Sequence, residues 1–105
     1  MPGPALDQLE ITLFGPGYGE CALIHLGNGN WVVIDSCIDS ASGEPAALSY
    51  LDSINIRPED AVRLVVVSHW HDDHIRGLGR VLAACESARF CCAGALTQKE
   101  FRASV

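Results

Sequence analysis

No run of apolar residues in this chain is long enough to cross a bilayer as a helix; the longest, such as Leu64-Val65-Val66-Val67, end after a few positions. A membrane partner is therefore not expected. A basic patch is missing too. The 7 Lys and Arg are scattered from Arg57 to Arg102 against 13 Asp and Glu, for a net charge of −6 and a pI near 4.9. Neutralisation of phosphates by cationic side chains drives sequence-independent nucleic-acid binding, so the acidic balance argues against an electrostatic DNA-binding module. It does not argue against a nucleotide substrate reached through bound metal, because the metal brings its own positive charge. The start, Met1-Pro2-Gly3-Pro4-Ala5-Leu6-Asp7, lacks the basic and apolar segments of a signal peptide. The 5 cysteines (Cys21, Cys37, Cys85, Cys91, Cys92) are an odd set with no C-x-x-C pair. Small disulfide scaffolds use even numbers, so reduced thiols and a cytoplasmic location are expected. Cys91 and Cys92, neighbours on a predicted strand, point to opposite faces and read as small buried hydrophobes.

What is present is apolar and patterned. Hydrophobic residues make up 49% of 105 and the mean hydropathy is +0.19, which fits one globular domain. A chain this short buries roughly two-thirds of its unfolded surface, so its apolar excess implies a face meant for something else. Residues 1–8 read as a flexible leader, and residues 9–105 as a single partial domain. Leu9 to Phe14 alternates as a first strand, and Gly15-Pro16-Gly17-Tyr18-Gly19 breaks it. Cys21 to Leu26 and Trp31 to Ile34 form a hairpin about Gly27-Asn28-Gly29-Asn30, whose residues tolerate positive φ. Asp35 closes that third strand.

A polar loop, 36–43, leads to a helix starting near Glu44-Pro45, with Leu48, Leu51 and Ile54 on one face. Pro58-Glu59-Asp60 reads as a connection. Arg63 to Ser68 is a β-branched run predicted to be a strand covered on both faces. Leu78, Val81, Leu82 and Cys85 then mark an amphipathic helix. Arg89 to Ala93 is a further strand, and Thr97 with Glu100 a capping box for a last helix.

Three of the 4 histidines fall within His69-Trp70-His71-Asp72-Asp73-His74, immediately after the buried strand. Neutral imidazole and carboxylate suit zinc, and a strand-to-helix junction is a usual place for ligands in α/β layers. His69 and His71, two apart on extended backbone, project to one side and can share a metal. Asp73 and His74 follow the turn, so they are free to serve a second ion close to the first. His25, alone on the second strand, reads as a half-buried strand residue rather than a ligand. Trp31 and Trp70 read as packing residues.

The segment Ser68 to His74 resembles the H-x-H-x-D-H signature of the metallo-β-lactamase superfamily. The opening hairpin, Trp31 to Cys37 and Pro58-Glu59-Asp60 are similar to the first half of that fold, so the likeness covers about residues 9–93. It implies an α/β chain forming the N-terminal ββα half of a four-layer αββα sandwich, here truncated. It also implies that His69 and His71 hold one metal ion, and Asp73 and His74 a second. The cofactor is then zinc, two ions in the complete site, although the same N and O donors accept iron or manganese. In such a site the cations lower the pKa of a bridging water towards neutrality and polarise the scissile carbonyl or phosphoryl oxygen. Asp73 both ligates and orients that water, and is the catalytic residue. Asp35 resembles the aspartate that supports the metal loop from behind; a turn-forming Asp at a strand end is an equally good reading.

Two departures stand out. The signature is usually followed by x-Gly-Gly, whereas Ile75-Arg76-Gly77 places Arg76 in the first glycine position. Arg76 reads either as a solvated residue at a helix start or as a contact for a substrate anion. The second departure is larger: no histidine follows His74 and no aspartate follows Asp73, so the later ligands of the family are missing. Gly15-x-Gly17-x-Gly19 opens a strand, which excludes a dinucleotide loop. It resembles the first turn in hydrolase domains of DNA-uptake competence proteins, which points to phosphodiesters.

Three functions compete. In the first, the chain is half of a metal-dependent hydrolase of small-molecule or phosphodiester substrates, inactive alone and completed by a missing C-terminal half or a partner chain. The second is a non-catalytic binding or regulatory module that pairs with another chain or with a second copy as a homo-oligomer. The third is an amidohydrolase-like barrel. The opening meander speaks against it, since such barrels begin with alternating parallel units.

Overall fold

The computed structural model describes residues 3–15, 20–68 and 77–92. Strands β1 (Glu10–Phe14), β2 (Cys21–Gly27) and β3 (Asn30–Ile34) form an antiparallel meander. Asn28 and Gly29, at φ 54° and 74°, make the two-residue turn between β2 and β3 that their sequence predicts. Helices α1 (Ala46–Ser53) and α2 (Pro58–Ala61) then carry the chain to β4 (Val62–Val67), which pairs parallel to β3. Helix α3 (Leu78–Ala84) leads to β5 (Arg89–Cys92), parallel to β4. The result is one mixed five-stranded sheet in the order β1-β2-β3-β4-β5.

Each helix has a local cause. Pro45 stands at the N-cap of α1 with an extended ψ of 130°, so the helix begins after it. At the other end Asn55 takes φ 61°. The Ile56 N–H then reaches Leu51 O at 2.9 Å, and the Asn55 N–H reaches Asp52 O at 3.1 Å. This is the paired closure that a left-handed residue permits, and it turns Ile56 back onto the core. The Pro58-Glu59-Asp60 connection is itself a single helical turn, because Pro58 at its first position is pre-set for helix.

The two faces of the sheet differ. Cys21, Leu23, Trp31, Val33, Val62, Val65 and Val67 are buried together with Ala46, Ala47 and Leu51 of α1 and with Leu78 and Val81 of α3. The opposite face carries Ile11, Leu13, Ala22, Ile24, Leu26, Val32, Ile34, Leu64 and Val66. There Ile11, Leu13 and Leu26 are 60%, 77% and 56% exposed. The expectation that β4 is covered on both faces therefore needs correction. Val65 and Val67 are fully buried, but Leu64 and Val66 are only half-buried, because the described helices pack on one side alone.

His25 is likewise buried more deeply than its sequence implies, at 2% exposure. Its Nδ1 donates to Gln8 O at 2.7 Å, and its Nε2 accepts from the Gly29 N–H at 3.3 Å. Both ring nitrogens are thus used within the fold, and the ring lies 4.7 Å from that of Trp31. Trp31, 1% exposed, is a packing residue as expected.

Leu51, fully buried between α1 and the sheet, tests this packing. Leu51→Ala is expected to lower unfolding stability by about 2–5 kcal/mol, as large-to-small core changes do, measured by urea denaturation.

Candidate functional site

Of the residues singled out for chemistry, Asp35 lies within the described part; His69, His71, Asp73, His74 and Arg76 lie outside it, as do Trp70 and the Thr97–Glu100 capping box. Asp35 follows β3 in a left-handed conformation, φ 63°, which Asp tolerates better than most side chains. Its N–H donates to Val66 O at 2.7 Å, continuing the β3–β4 ladder by one more bond. That bond turns the side chain towards the end of β4. One carboxylate oxygen accepts the Ser68 N–H at 2.7 Å, and the other accepts the Ser68 hydroxyl. Asp35 is 6% exposed. Hydrogen bonds to a buried charged acceptor are among the stronger kind, so the residue that leads into His69 is firmly held.

The far side of the histidine segment is fixed to the same loop. Gly77 caps α3 with φ 75°. A Cβ there would stand 2.7 Å from Ile38 Cδ1, 3.0 Å from Pro45 Cγ and 3.5 Å from Ser36 Oγ. Glycine takes this left-handed conformation without strain, and a side chain there would press against Ile38 and Pro45. Arg80, one turn on, donates to Gly43 O at 3.0 Å and pairs with Glu44, which ties α3 to the end of the same connection. Ser68 and Gly77, the residues on either side of 69–76, therefore both rest on the 35–38 loop. Sequence reasoning assigned neither of them a role. The signal for Gly77 was its place directly after the Arg76 departure, where a glycine is retained.

Beside Asp35 a cleft of about 380 Å³ opens between Leu13, Phe14, Gly15, Glu20, Cys21, Ala22 and Ile34. Its wall is mostly apolar, with two carboxylates. Among the described residues no group of three or more His, Cys, Asp or Glu side chains is placed to hold a metal ion.

The family model described as the metallo-beta-lactamase superfamily matches residues 14–100. The chain belongs to this superfamily. A comparison with curated proteins gave no match. Members of the superfamily generally bind metal ions such as zinc, and its mixed α/β layering agrees with the five-stranded sheet and its helices. None of the described helices is long and apolar enough to cross a membrane.

Two outcomes follow from this frame. Gly77→Ala is expected to destabilise the chain by roughly 2–4 kcal/mol, from left-handed strain together with overpacking; a thermal melt checks it. The second concerns buried thiols. Burial pushes the Cys21 thiol up to about 12 and the Cys85 thiol up to about 11, each above its unfolded value. Their contribution is therefore intact below the ordinary thiol range and lost as pH rises through the folded values. Alkaline titration followed by circular dichroism should show unfolding within roughly pH 9–12, and the Cys21→Ala/Cys85→Ala double variant should move the midpoint upward.

Proposed function

We propose that this chain carries the first ligands of a metal-dependent hydrolase that cleaves a phosphodiester or another ester-like bond. The observation that carries the reading is the Asp35 carboxylate gripping both the N–H and the hydroxyl of Ser68, because Ser68 is the residue from which His69-x-His71-x-Asp73-His74 departs. A ligand cluster is useful only if its backbone is held in place by groups behind it. Asp35 and Gly77 provide such support from the two ends.

The donor set fits the group the superfamily implies. Imidazole nitrogen and carboxylate oxygen suit zinc, with iron or manganese as alternatives. His69 and His71 would hold one cation, Asp73 and His74 a second. When bound, the cations supply Lewis-acid activation of a water and of the scissile group. Asp73 orients the attacking water, and Asp35 keeps the start of the ligand segment in register. The cleft between Glu20 and Asp35 offers a largely apolar wall for the substrate; an anionic substrate enters beside these carboxylates only with cations present to offset them.

The finer fold reading is that residues 9–105 are the ββα half of an αββα sandwich. Its support is the open apolar face of the sheet, on which Ile11, Leu13 and Leu26 stand exposed. Burying such a face against a second sheet is the usual way a two-sided sheet completes its core. A missing C-terminal half, or a partner chain, would bring that sheet and the further ligands.

The 105-residue chain is expected to retain well under one zinc per molecule after dialysis, by elemental analysis, and to show no turnover of bis(p-nitrophenyl) phosphate. Two tightly held ions with turnover would refute the half-site reading. In a protein holding the remaining ligands, Asp73→Ala is expected to lower kcat by about 10²–10⁴-fold, the range for a positioned acid–base group, with an unchanged circular dichroism spectrum. Near-normal rates would remove Asp73 from the mechanism.

A further inference from the structure

The two hydrogen bonds of His25 together place a base on a backbone amide. The imidazole is 2% exposed, and its Nδ1 donates to Gln8 O at 2.7 Å. A carbonyl only accepts, so the proton sits on Nδ1 and the Nε2 lone pair faces outward as an acceptor. What it accepts is the Gly29 N–H, at 3.3 Å. The residue before Gly29 is Asn28, exposed in the β2–β3 turn at φ 54°. The Gly29 nitrogen can close a five-membered ring on Asn28 Cγ, the carbon of the side-chain amide. Nothing lies within 4 Å of where a Gly29 Cβ would stand, so glycine leaves the attacking nitrogen unhindered.

We propose that Asn28-Gly29 is a self-modifying site, at which His25 is the base that converts Asn28 to aspartate and isoaspartate. Weak nucleophiles are activated by a base within hydrogen-bond reach, itself oriented by a third group. The Gly29 nitrogen, His25 and Gln8 O take those three places. None of these residues belongs to the metal-ligand segment, so the site stands whether or not the chain is a hydrolase.

The Gly29 nitrogen attacks Asn28 Cγ as its proton passes to His25 Nε2. The N–Cγ bond forms and the bond from Cγ to the side-chain nitrogen breaks. The proton moves on from Nε2 to that leaving nitrogen, so ammonia departs and His25 returns to its neutral form. Water then opens the succinimide at either carbonyl, giving aspartate or isoaspartate. No electrons are transferred; one water is consumed and one ammonia released. Isoaspartate routes the main chain through the side-chain carbons, which adds an atom to a two-residue turn whose geometry matches its strands. The same turn carries the bond from the Asn28 N–H to Leu6 O, 2.6 Å long. The modification therefore loosens the hold on the residues before β1 as well.

The test incubates the 105-residue chain in mildly alkaline buffer, folded and, in parallel, unfolded in guanidinium chloride. Peptic peptides prepared in acid are mapped by mass spectrometry for succinimide, aspartate and isoaspartate at residue 28. Conversion is expected to be faster in the folded chain than in the unfolded one. Glutamine can keep both hydrogen bonds but is no base. His25→Gln is therefore expected to slow the folded chain by about 10²-fold, the lower end for a positioned base, and to leave the unfolded rate unchanged. Circular dichroism establishes that the variant is folded. Nitrogen NMR of the wild-type imidazole is expected to show the proton on Nδ1 and none on Nε2. Three results would overturn the proposal: conversion no faster in the folded chain, which would make the turn a shield; a folded His25→Gln rate equal to or above the wild type; or a proton on Nε2. The first and third are read on the wild-type chain, so they decide even where His25→Gln fails to fold.

Discussion

The arrangement depends on a single buried carboxylate. Asp35 sits where β3 ends, in a left-handed conformation that few side chains accept, and each of its oxygens accepts a hydrogen bond from Ser68. That grip fixes the chain where it leaves β4 after Val67. The parallel pairing of β3 and β4 makes the grip possible. Parallel neighbours end at the same edge of a sheet, so a residue that closes one strand can reach the residue that leaves the other. The 35–38 loop extends the effect to Gly77, where the lack of a side chain lets α3 approach within contact of Ser36 and Ile38.

The sheet is asymmetric for a related reason. Both crossover connections, α1 with α2 and then α3, send their buried residues to one face, while the other face keeps an apolar surface with exposed Ile11 and Leu13. A face of that composition in contact with water is unfavourable at roughly 25 cal/mol per Å². The apolar excess of the composition and the exposed Ile11, Leu13 and Leu26 on this face are the same fact seen at two levels.

Much of the fold was legible in the residues. The Asn28-Gly29 turn and the two amphipathic helices follow from local patterns that the structure repeats. The coverage of β4 was not legible: Leu64 and Val66 are as apolar as Val65 and Val67, and a β-branched run does not say which side lacks a partner. The depth of His25 was missed because it comes from Gln8 and Gly29, whose backbone groups meet the ring only after folding. At the site, the position of Asp35 at the close of β3 is visible in the sequence, whereas its grip on Ser68 is not. Ser68 and Gly77 were passed over because their function lies in backbone position rather than in reactive chemistry.

The central claim is that a frame built on Asp35 presents His69, His71, Asp73 and His74 together to divalent cations. The most direct measurement is a crystal structure of the zinc-soaked chain, with diffraction recorded on both sides of the zinc absorption edge. The expected result is anomalous density next to Ser68, even at partial occupancy, with His69 and His71 directed at one ion position and Asp73 and His74 at the neighbouring one. A structure in which those side chains point apart, with no anomalous density among them, would contradict it.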